Sequence, residues 1–318
     1  MVSRKAIAIK AGVSQATVTN VFNKSKFVSA DIKEKVMHAA QELDYRYCMT
    51  MEFVLLVEDV TNPHYTMLLQ GMKDTAAKYG AMASMVLLDN DYEATCQALI
   101  ERKVSGVFLS STRDELKEKY DKRFKDVGIG FSSSWNDFVI DFDPCYEQLV
   151  HYLAGIGHKR IAYLSGIKID EENLRYTAFL RAMEQKGLKV DRNLIIDGNL
   201  PYKTDMVTGY HTMKNLLARN RSFTAVVCVN DLMALGAMRA INESGLSIPE
   251  DISVVGCDNI PFSEFSNPPL TTLKISTFDL GRQAVYNLMN AANGIAANKI
   301  HLSPELIIRS TTGTAAEK

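Results

Sequence analysis

The sequence lacks the features that mark exported, membrane-spanning and zinc-binding proteins. Its five cysteines lie far apart, with no C-x-x-C pair and no Cys/His cluster of zinc-ligand spacing. No apolar segment approaches the ~20 residues that a bilayer-spanning helix needs. The N-terminus carries no apolar stretch followed by a small-residue cleavage site. We therefore expect a cytoplasmic protein with reduced thiols, no bound metal and no contact with a membrane.

The motifs of common α/β enzymes are also missing. No G-x-G-x-x-G follows the first predicted strand, and there is no Walker loop, no G-x-S-x-G and no H-E-x-x-H. The pair Gly155-x-Gly157 falls at the end of a predicted helix, where glycine acts as a cap. A nucleotide-binding dehydrogenase or kinase is the natural alternative for such a chain, but the sequence offers it no catalytic constellation. We expect neither an enzyme nor a cofactor.

Charge is distributed unevenly along a chain that is long enough for two or three globular units, with 318 residues and 47% hydrophobic content. The net charge is −1, yet residues 1–47 hold eight Lys and Arg against four Asp and Glu. The remainder is therefore acidic. A basic head on an acidic body indicates that the head binds a polyanion, although a merely solvated charged surface would give the same count.

The basic head is predicted to contain three helices. Residues 4–11 favour a first helix, and Gly12-Val13-Ser14 favours a turn in which Ser14 caps a second helix over 15–22. A third helix is predicted from Ser29 as N-cap to about Asp44. The apolar residues of the second helix share one face, so its outer face is small and polar. That outer face comprises Gln15, Ala16, Thr19 and Asn20.

A glycine-containing turn before a helix with short polar side chains fits the DNA major groove, although other small helical bundles share the pattern. The detailed string is more specific. Ala-Gly-Val-Ser-Gln-Ala-Thr-Val-Thr-Asn-Val-Phe-Asn at 11–23 is followed by Phe-Val-Ser at 27–29 and Leu-Asp-Tyr at 43–45. These segments closely resemble the head of the lac-repressor (LacI/GalR) family, which implies a helix-turn-helix DNA-binding domain.

The resemblance also implies roles for individual residues of the head. It places the base-reading positions on Gln15, Ala16 and Asn20, and phosphate-contacting or capping positions on Ser14, Thr17, Thr19 and Asn23. Thr19 replaces the usual Ser, and Asn20 replaces the usual Arg. The second change removes a bidentate guanine reader and offers an adenine reader instead. We expect an operator that differs from the common consensus of the family.

The connection between head and body is shorter than the family pattern. Only residues 46–51 separate Tyr45 from the first strand, where the family usually has a helix that wedges a leucine into the minor groove. At about 3.3–3.6 Å per residue, this segment tethers the head but hardly holds a helix. Either Tyr47, Met49 and Met51 pack as a stiff connector, or one of them replaces the leucine wedge. Because the connection is short, we expect a DNA affinity lower than in typical relatives.

From residue 52 the pattern alternates short apolar strands with amphipathic helices, which is typical of parallel sheets covered on both faces. The predicted strands are 53–58, 82–87, 105–110, 127–131, 138–141, 160–165, 193–196, 224–229 and 252–256. A break lies near 144–158, where Pro144 precedes a helix predicted over 146–156. Two doubly wound α/β subdomains with a cleft between them are therefore expected.

The body also resembles the LacI/GalR sensor, on the strings Asn62-Pro63-His64-Tyr65, 157–162, Arg175-x-x-Ala178-Phe179, 229–236, 248–258 and 268–272. The resemblance implies a periplasmic-binding-protein-like fold crossed three times by the chain, near 143–149, 273–278 and 299–303. We accordingly divide the chain into a DNA-binding domain at 1–47, a short hinge at 48–51 and an effector-binding and dimerisation domain at 52–318. In the last, the N-subdomain takes about 52–145 and 277–301, and the C-subdomain about 146–276 and 302–318.

In the family an Arg, an Asn and an Asp line the effector cleft, and they fall here on Arg175, Asn230 and Asp258, which we place at predicted strand ends. Such a mix fixes polyol hydroxyls or an anionic group. The other candidate effector contacts are His64, Tyr65, Ser110 and Asp141. Leu200 stands where relatives often stack an aromatic ring on the ligand, so an unusual effector is expected. Cys257 is a further departure, at a position where the family has an aromatic residue.

The sequence therefore predicts a transcriptional regulator, most simply a repressor. Its operator affinity would respond to a small-molecule effector, a sugar or related metabolite. Too few bases contact one head for a genomic site, so a homodimer on a pseudo-palindrome is expected. Whether the effector releases or promotes DNA binding stays open. One alternative is a sensor of the same fold with weakened DNA binding, and another is an exported sugar-binding protein, which would not carry the head.

Overall fold

The computed structural model describes residues 3–23, 28–43, 51–88, 91–110, 114–133, 138–169, 173–198, 203–219, 222–292 and 299–316. Most of the connection at 46–51, including Tyr47 and Met49, lies outside these ranges, and so does Leu200, which stands where relatives often stack an aromatic ring. Within them, no helix combines the length and the apolar character required to cross a membrane.

The head consists of the three predicted helices, α1 (Arg4–Ala11), α2 (Gln15–Asn23) and α3 (Ala30–Glu42). Gly12 ends α1 in the left-handed region, at φ 66°, which glycine adopts without strain. Ile7, Val18 and Val36 are completely buried, one from each helix, and form the centre of a small separate core. Because Val18 faces inward, the rotation of α2 about its axis is fixed.

The body begins with a four-stranded parallel sheet, in the order β2-β1-β3-β4. Its elements in chain order are β1 (Glu52–Val57), α4 (Pro63–Lys78), β2 (Met82–Leu87), α5 (Tyr92–Glu101), β3 (Gly106–Ser110), α6 (Asp114–Lys125) and β4 (Gly130–Ser133), followed by the short strand β5 (Phe138–Ile140). The strand predicted over 127–131 was placed too early. It begins at Gly130 because Gly128, at φ 73°, belongs to the turn that ends α6.

A second, six-stranded sheet follows. The elements that build it are α7 (Asp143–Gly155), β6 (Ile161–Leu164), α8 (Leu174–Gln185), β7 (Ile195–Ile196), α9 (Met206–Arg219), β8 (Ala225–Cys228), α10 (Asp231–Glu243), β9 (Ser253–Cys257), α11 (Pro261–Phe265) and β10 (Thr271–Lys274). The chain ends with α12 (Thr277–Ala292), β11 (Ile300–Leu302) and β12 (Glu305–Ile307). The sheet order is β12-β10-β9-β8-β6-β7, and β12 alone is antiparallel to its neighbour.

Strands β5 and β11 pair in parallel as a separate two-stranded sheet, and the chain passes between the two halves of the body three times. It leaves β5 for α7, it leaves β10 for α12, which packs on α4, and it leaves β11 for β12. Strands β10, β11 and β12 were not predicted, and they are the short strands flanking these crossings. Pro144 lies in the first turn of α7 rather than before the helix, where its missing N–H costs no hydrogen bond.

Paired glycines bring helices into close contact in both halves of the body. A Cβ on Gly71 would lie 2.0 Å from the carbonyl oxygen of Phe278, and one on Gly281 would lie 2.0 Å from that of Leu68, so α4 and α12 cross backbone to backbone. Gly209 and Gly236 do the same for α9 and α10. In each sheet the chain order reverses beside the first strand, β1 or β6, which is where α/β proteins bind ligands. The predicted fold class is confirmed.

Candidate functional site

The first candidate site is the outer face of α2. Ser14 Oγ accepts a hydrogen bond from the Thr17 N–H at 3.0 Å and lies 2.8 Å from Thr17 Oγ1, so both residues act together at the start of the helix. Gln15 and Ala16 are exposed. This start of the helix, with free backbone N–H groups and small polar side chains, has the chemistry to meet phosphates and base edges.

Further along α2, Thr19 and Asn20 are half-buried beside the inward-facing Val18. Asn23 is the last residue of the helix, and its side chain lies outside the described part of the structure. The four described outer residues therefore run along one side of α2, in the order in which a helix lying in the major groove would present them.

The second candidate site lies at the carboxyl ends of the strands of the body, and Arg175 is at its centre. Arg175 Nη1 donates to the Val229 carbonyl at 2.5 Å, and Nη2 donates to Asp258 Oδ1 at 2.8 Å. Its guanidinium also stacks 5.4 Å above the Phe142 ring. Arg175 lies in the first turn of α8 rather than at a strand end, so that part of the prediction was wrong.

Burial by itself disfavours the charged form of Arg175. Asp258, together with smaller contributions from Cys257, Tyr146 and Tyr163, outweighs that effect, so the pKa of Arg175 is raised rather than lowered. Arg175 therefore stays cationic throughout the physiological pH range. It forms a largely buried ion pair with Asp258, in which 21% of the arginine side chain and 5% of the aspartate side chain are exposed.

Asp258 follows β9 in an unusual backbone conformation. Its φ is 111° and that of Asn259 is 53°, so two successive residues with side chains occupy the region that glycine favours. Such conformations cost about 1 kcal/mol or more each and persist only where neighbouring contacts enforce them. They aim the Asp258 carboxylate at Arg175.

Asn230 lies two residues after the end of β8 and caps α10. Its Oδ1 accepts the Met233 N–H at 2.9 Å, and its Nδ2 donates to the Thr204 carbonyl at 2.9 Å. Asn230 is joined to Arg175 through the preceding residue, since Arg175 donates to the Val229 carbonyl. The amide is therefore held at the edge of the same cleft by contacts from two segments.

His64 and Tyr65 lie in the first turn of α4, in the half of the body that contains the four-stranded sheet, and they approach the site from that side. His64 Nδ1 lies 3.9 Å from Asp258 Oδ1 and 3.3 Å from Thr277 Oγ1. Burial lowers the pKa of His64, and Asp258 only partly offsets this, so the imidazole is neutral at pH 7 and can both donate and accept. The His64 and Tyr65 rings meet edge to face at 5.4 Å. Burial raises the pKa of Tyr65, which stays a neutral phenol.

The last two predicted effector residues sit at the margins. Ser110 is the buried last residue of β3, on the switch-point side of the sheet. The Asp141 carboxylate is exposed and accepts the Asp143 N–H at 3.1 Å, at the start of α7. The structure thus pairs Arg175 with Asp258, brings His64 within 3.9 Å of Asp258 and gives Asp141 only a contact within its own turn.

Three residues at the cleft were missed by sequence reasoning: Phe142, Thr277 and Asp231. The aromatic ring under Arg175 and the hydroxyl beside His64 carry no signal in the sequence. Asp231 could have been found from the sequence, because it stands next to Asn230 in the string 229–236 that resembles the family. In the structure it is completely buried. Burial, followed by the charge of Asp258, raises the pKa of Asp231 to about 7.

Comparison with known proteins gives two family matches. Residues 5–46 match the model described as bacterial regulatory proteins, lacI family, and residues 150–312 match the periplasmic binding protein-like domain. The HTH-type transcriptional repressor PurR of Pasteurella multocida is 31% identical over 340 residues, covering 98% of each chain.

Among solved structures, the lac repressor dimer bound to operator and the anti-inducer ONPF superposes with a TM-score of 0.75 at 25% identity, covering 98% of this chain and 99% of that one. A LacI family transcriptional regulator from Enterococcus faecium with bound ribose superposes with a TM-score of 0.71 at 25% identity, covering 83% and 99%.

Proposed function

The chain belongs to the lacI family of bacterial regulatory proteins and is a DNA-binding transcriptional repressor of that type, and from this we propose that a small metabolite bound between its two sheets controls its operator affinity. The proposed effector is a sugar or related polar metabolite. The observation that carries the proposal is the contact of His64 with Asp258, which brings ligand-type side chains from both sheets to one point.

The chemistry of the cleft supports a polar effector. It offers the Arg175 fork, the Asp258 carboxylate, the Asn230 amide and a neutral imidazole, which together can both donate to and accept from hydroxyl groups. Because Arg175 and Asp258 neutralise each other, the pair as a whole does not favour an anion. The bound ribose of the Enterococcus faecium relative is consistent with this interpretation.

Operator recognition is assigned to the outer residues of α2, with Gln15, Ala16 and Asn20 reading bases. Ser14, Thr17, Thr19 and Asn23 would contact phosphates or shape the helix. An asparagine can bond the N6 and N7 groups of adenine in the major groove, so Asn20 would select adenine at its position. The protein would act in the cytoplasm, where its operator DNA lies.

A homodimer is proposed because the body carries an exposed apolar surface beside a groove. Phe265 and Phe262 of α11 are 84% and 56% exposed. Beside them lies a groove between α10 and the loop after α11, lined by Leu235, Met238, Arg239, Asn242, Glu243, Ser266 and Asn267. Exposed patches of this kind on regulators mark protein contacts, and a second copy would place two heads on a pseudo-palindrome. The operator-bound lac repressor relative is a dimer.

In the proposed mechanism, effector binding stabilises one relative position of the two subdomains. An effector that contacts His64 on α4 and Asp258 after β9 has a different affinity for the open and closed cleft, so it shifts their populations. The three crossing segments would transmit that shift to the spacing of the two heads. Operator and effector affinities are then coupled reciprocally.

The experiment that tests the proposal is selection of bound sequences from a random duplex pool with the full-length protein, across a salt series. The same selection is made with Asn20→Ala. The matched control is Gln97→Ala, which removes an exposed amide from α5, far along the chain from the head. A palindrome whose preference relaxes at one symmetric position in Asn20→Ala, and not in Gln97→Ala, is the expected result.

Recovery of only salt-sensitive binding without sequence preference would contradict the operator assignment. It would favour the alternative function, an effector sensor whose short hinge weakens DNA binding. The effector assignment is tested separately, by thermal melting of the protein with neutral sugars, ribose among them. A raised melting temperature that Asp258→Asn abolishes supports the cleft, and one that Asp258→Asn leaves unchanged places the ligand elsewhere.

A further inference from the structure

The turn that carries Asp258 is hydrogen-bonded to a buried carboxylate, that of Asp231. Asp231 is the first residue of α10 and is fully shielded from solvent. Its Oδ2 accepts the Ile260 N–H at 2.8 Å and the Ser263 hydroxyl at 2.6 Å. Its Oδ1 accepts the Thr272 hydroxyl at 2.5 Å. These three donors come from the turn after β9, from α11 and from β10.

The segment that Asp231 holds is the one whose backbone is unfavourable. Asp258 and Asn259 both have positive φ, and Ile260, which donates to Asp231, is the next residue along the chain. A turn with two such residues relaxes unless it is anchored at both sides. On one side the Asp258 N–H donates to the Leu273 carbonyl at 2.8 Å. On the other side the turn is held by Asp231 and by Arg309, which donates to Asn259 Oδ1 at 2.8 Å.

The fit around Asp231 is close. A Cβ on Gly256 would lie 2.2 Å from Asp231 Oδ1, so the strand before the turn needs glycine for the carboxylate to reach its donors. Burial of a carboxylate that has hydroxyl and amide donors rather than a cation is unfavourable unless every donor is well placed. A simpler apolar residue would fill this place at less cost, which points to a functional reason for the carboxylate.

We propose that Asp231 is the positioning residue of the effector site: its carboxylate clamps the strained Asp258–Asn259 turn and thereby aims Asp258 at Arg175 and His64. That this cleft binds an effector rests on the proposed function, but the test below needs no effector. The same clamp joins the turn to α11 through Ser263, so the effector site and the exposed α11 surface share one anchor.

The test measures the position of Asp258 through the pKa of His64, in the full-length chain without any ligand. Asp258 raises the pKa of His64 from the value that burial would give. The imidazoles of the six histidines are ¹³C-labelled and titrated by NMR, and His64→Gln identifies the signal of His64. Asp258→Asn sets the reference, and the pKa of His64 should fall in this variant because the nearby negative charge is gone.

Three variants distinguish the clamp from a direct effect of the Asp231 charge and from a general loss of stability. Asp231→Ala removes all three hydrogen bonds, and the pKa of His64 should fall as it does in Asp258→Asn. Asp231→Asn removes the charge but keeps the clamp, because its amide oxygen can accept from Ile260 and Ser263 while its NH₂ donates to Thr272 Oγ1. It should leave the pKa of His64 near that of the unmodified protein. Asp251→Ala is the control, since Asp251 accepts the Ser247 N–H at 2.8 Å in an unrelated turn.

Two results would overturn the proposal. An unchanged pKa of His64 in folded Asp231→Ala would mean that Arg309, which donates to Asn259 Oδ1 at 2.8 Å, suffices to hold the turn. Equal shifts in Asp231→Ala and Asp231→Asn would mean a direct effect of charge. If Asp231→Ala does not fold, as judged by circular dichroism, Ser263→Ala decides: it removes one of the two donors to Oδ2, and a fall in the pKa of His64 supports the clamp while an unchanged pKa refutes it.

Discussion

His64 and Asp258 face each other from different halves of the body, with 3.9 Å between Nδ1 and Oδ1. They lie 194 positions apart in the sequence, on α4 and after β9. Each has a second contact that fixes it, since His64 lies beside Thr277 and Asp258 accepts from Arg175. Any movement of one sheet against the other changes this distance, which is why the contact is a natural place for an effector to act.

Loss of Arg175 is expected to destabilise the protein, because it leaves a buried carboxylate without its cation. Arg175→Ala should lower the free energy of unfolding by on the order of 3 kcal/mol. Arg181→Ala is the control on the same helix, since Arg181 pairs with the half-exposed Asp143 and should cost no more than about 0.5 kcal/mol. Urea-induced unfolding measures both. Equal losses of unfolding free energy in the two variants would show that water solvates the Asp258 carboxylate once Arg175 is removed.

The same variant tests the cleft once an effector is known. Arg175→Ala should weaken effector binding by at least about tenfold, or ~1.4 kcal/mol. A smaller change, measured by titration calorimetry on the folded variant, would remove Arg175 from the effector site.

A pH-dependent loss of stability is expected from His158, which is buried. Its Nδ1 lies 2.8 Å from Thr224 Oγ1, and its Nε2 lies 3.0 Å from Ser253 Oγ and 3.1 Å from the Gly313 carbonyl oxygen. Burial lowers the pKa of His158, so the folded state binds its proton less readily than the unfolded state. Stability from this residue is complete above the unfolded pKa of about 6.5 and is lost as pH falls below it.

The measurement is urea-induced unfolding at several pH values between about 7.5 and 5 for the unmodified protein and for His158→Gln. The difference between the two should shrink as the pH falls. Asp231 acts in the opposite sense, since its pKa is raised to about 7 and its contribution decreases as the pH rises. Because Asp231 is common to both proteins, its effect cancels. A difference independent of pH would show that His158 is protonated in the folded state or contributes only packing.

Gly281→Ala is expected to destabilise the body by separating α4 from α12. Its new Cβ would meet the Leu68 carbonyl oxygen at 2.0 Å, so the helices must move apart, at a cost of about 1–3 kcal/mol. Gly155→Ala is the control, because that glycine ends α7 and a Cβ added to it would have no atom within 4 Å. Thermal melting should show a lower midpoint for Gly281→Ala alone. Equal midpoints would contradict the close contact.

The proposed dimer surface is tested by Phe265→Asp, which places a charge on the most exposed aromatic ring of α11. Sedimentation equilibrium should show dissociation at a concentration at least tenfold higher than for the unmodified protein, or ~1.4 kcal/mol of lost association energy. Val127→Asp is the control, because Val127 is an exposed apolar residue in the turn after α6. Equal weakening, or none, would place the dimer contact elsewhere.

The sequence alone predicted the fold class because its periodicities are local. The alternation of apolar strands and amphipathic helices, the glycine turn at Gly12 and the inward-facing Val18 depend on residues close together along the chain. The short strands β10, β11 and β12 escaped because three or four residues carry too little pattern, and their pairing partners are distant in sequence.

The candidate site was determined only in part by the sequence. Resemblance to family motifs identified Arg175, Asn230 and Asp258 as candidate effector residues. Only the tertiary structure decided that Arg175 pairs with Asp258, that His64 reaches them from the other sheet, and that the buried Asp231 holds the turn. Those contacts join residues far apart in the chain, and burial, which sets their charge states, is a property of the packed fold rather than of any segment.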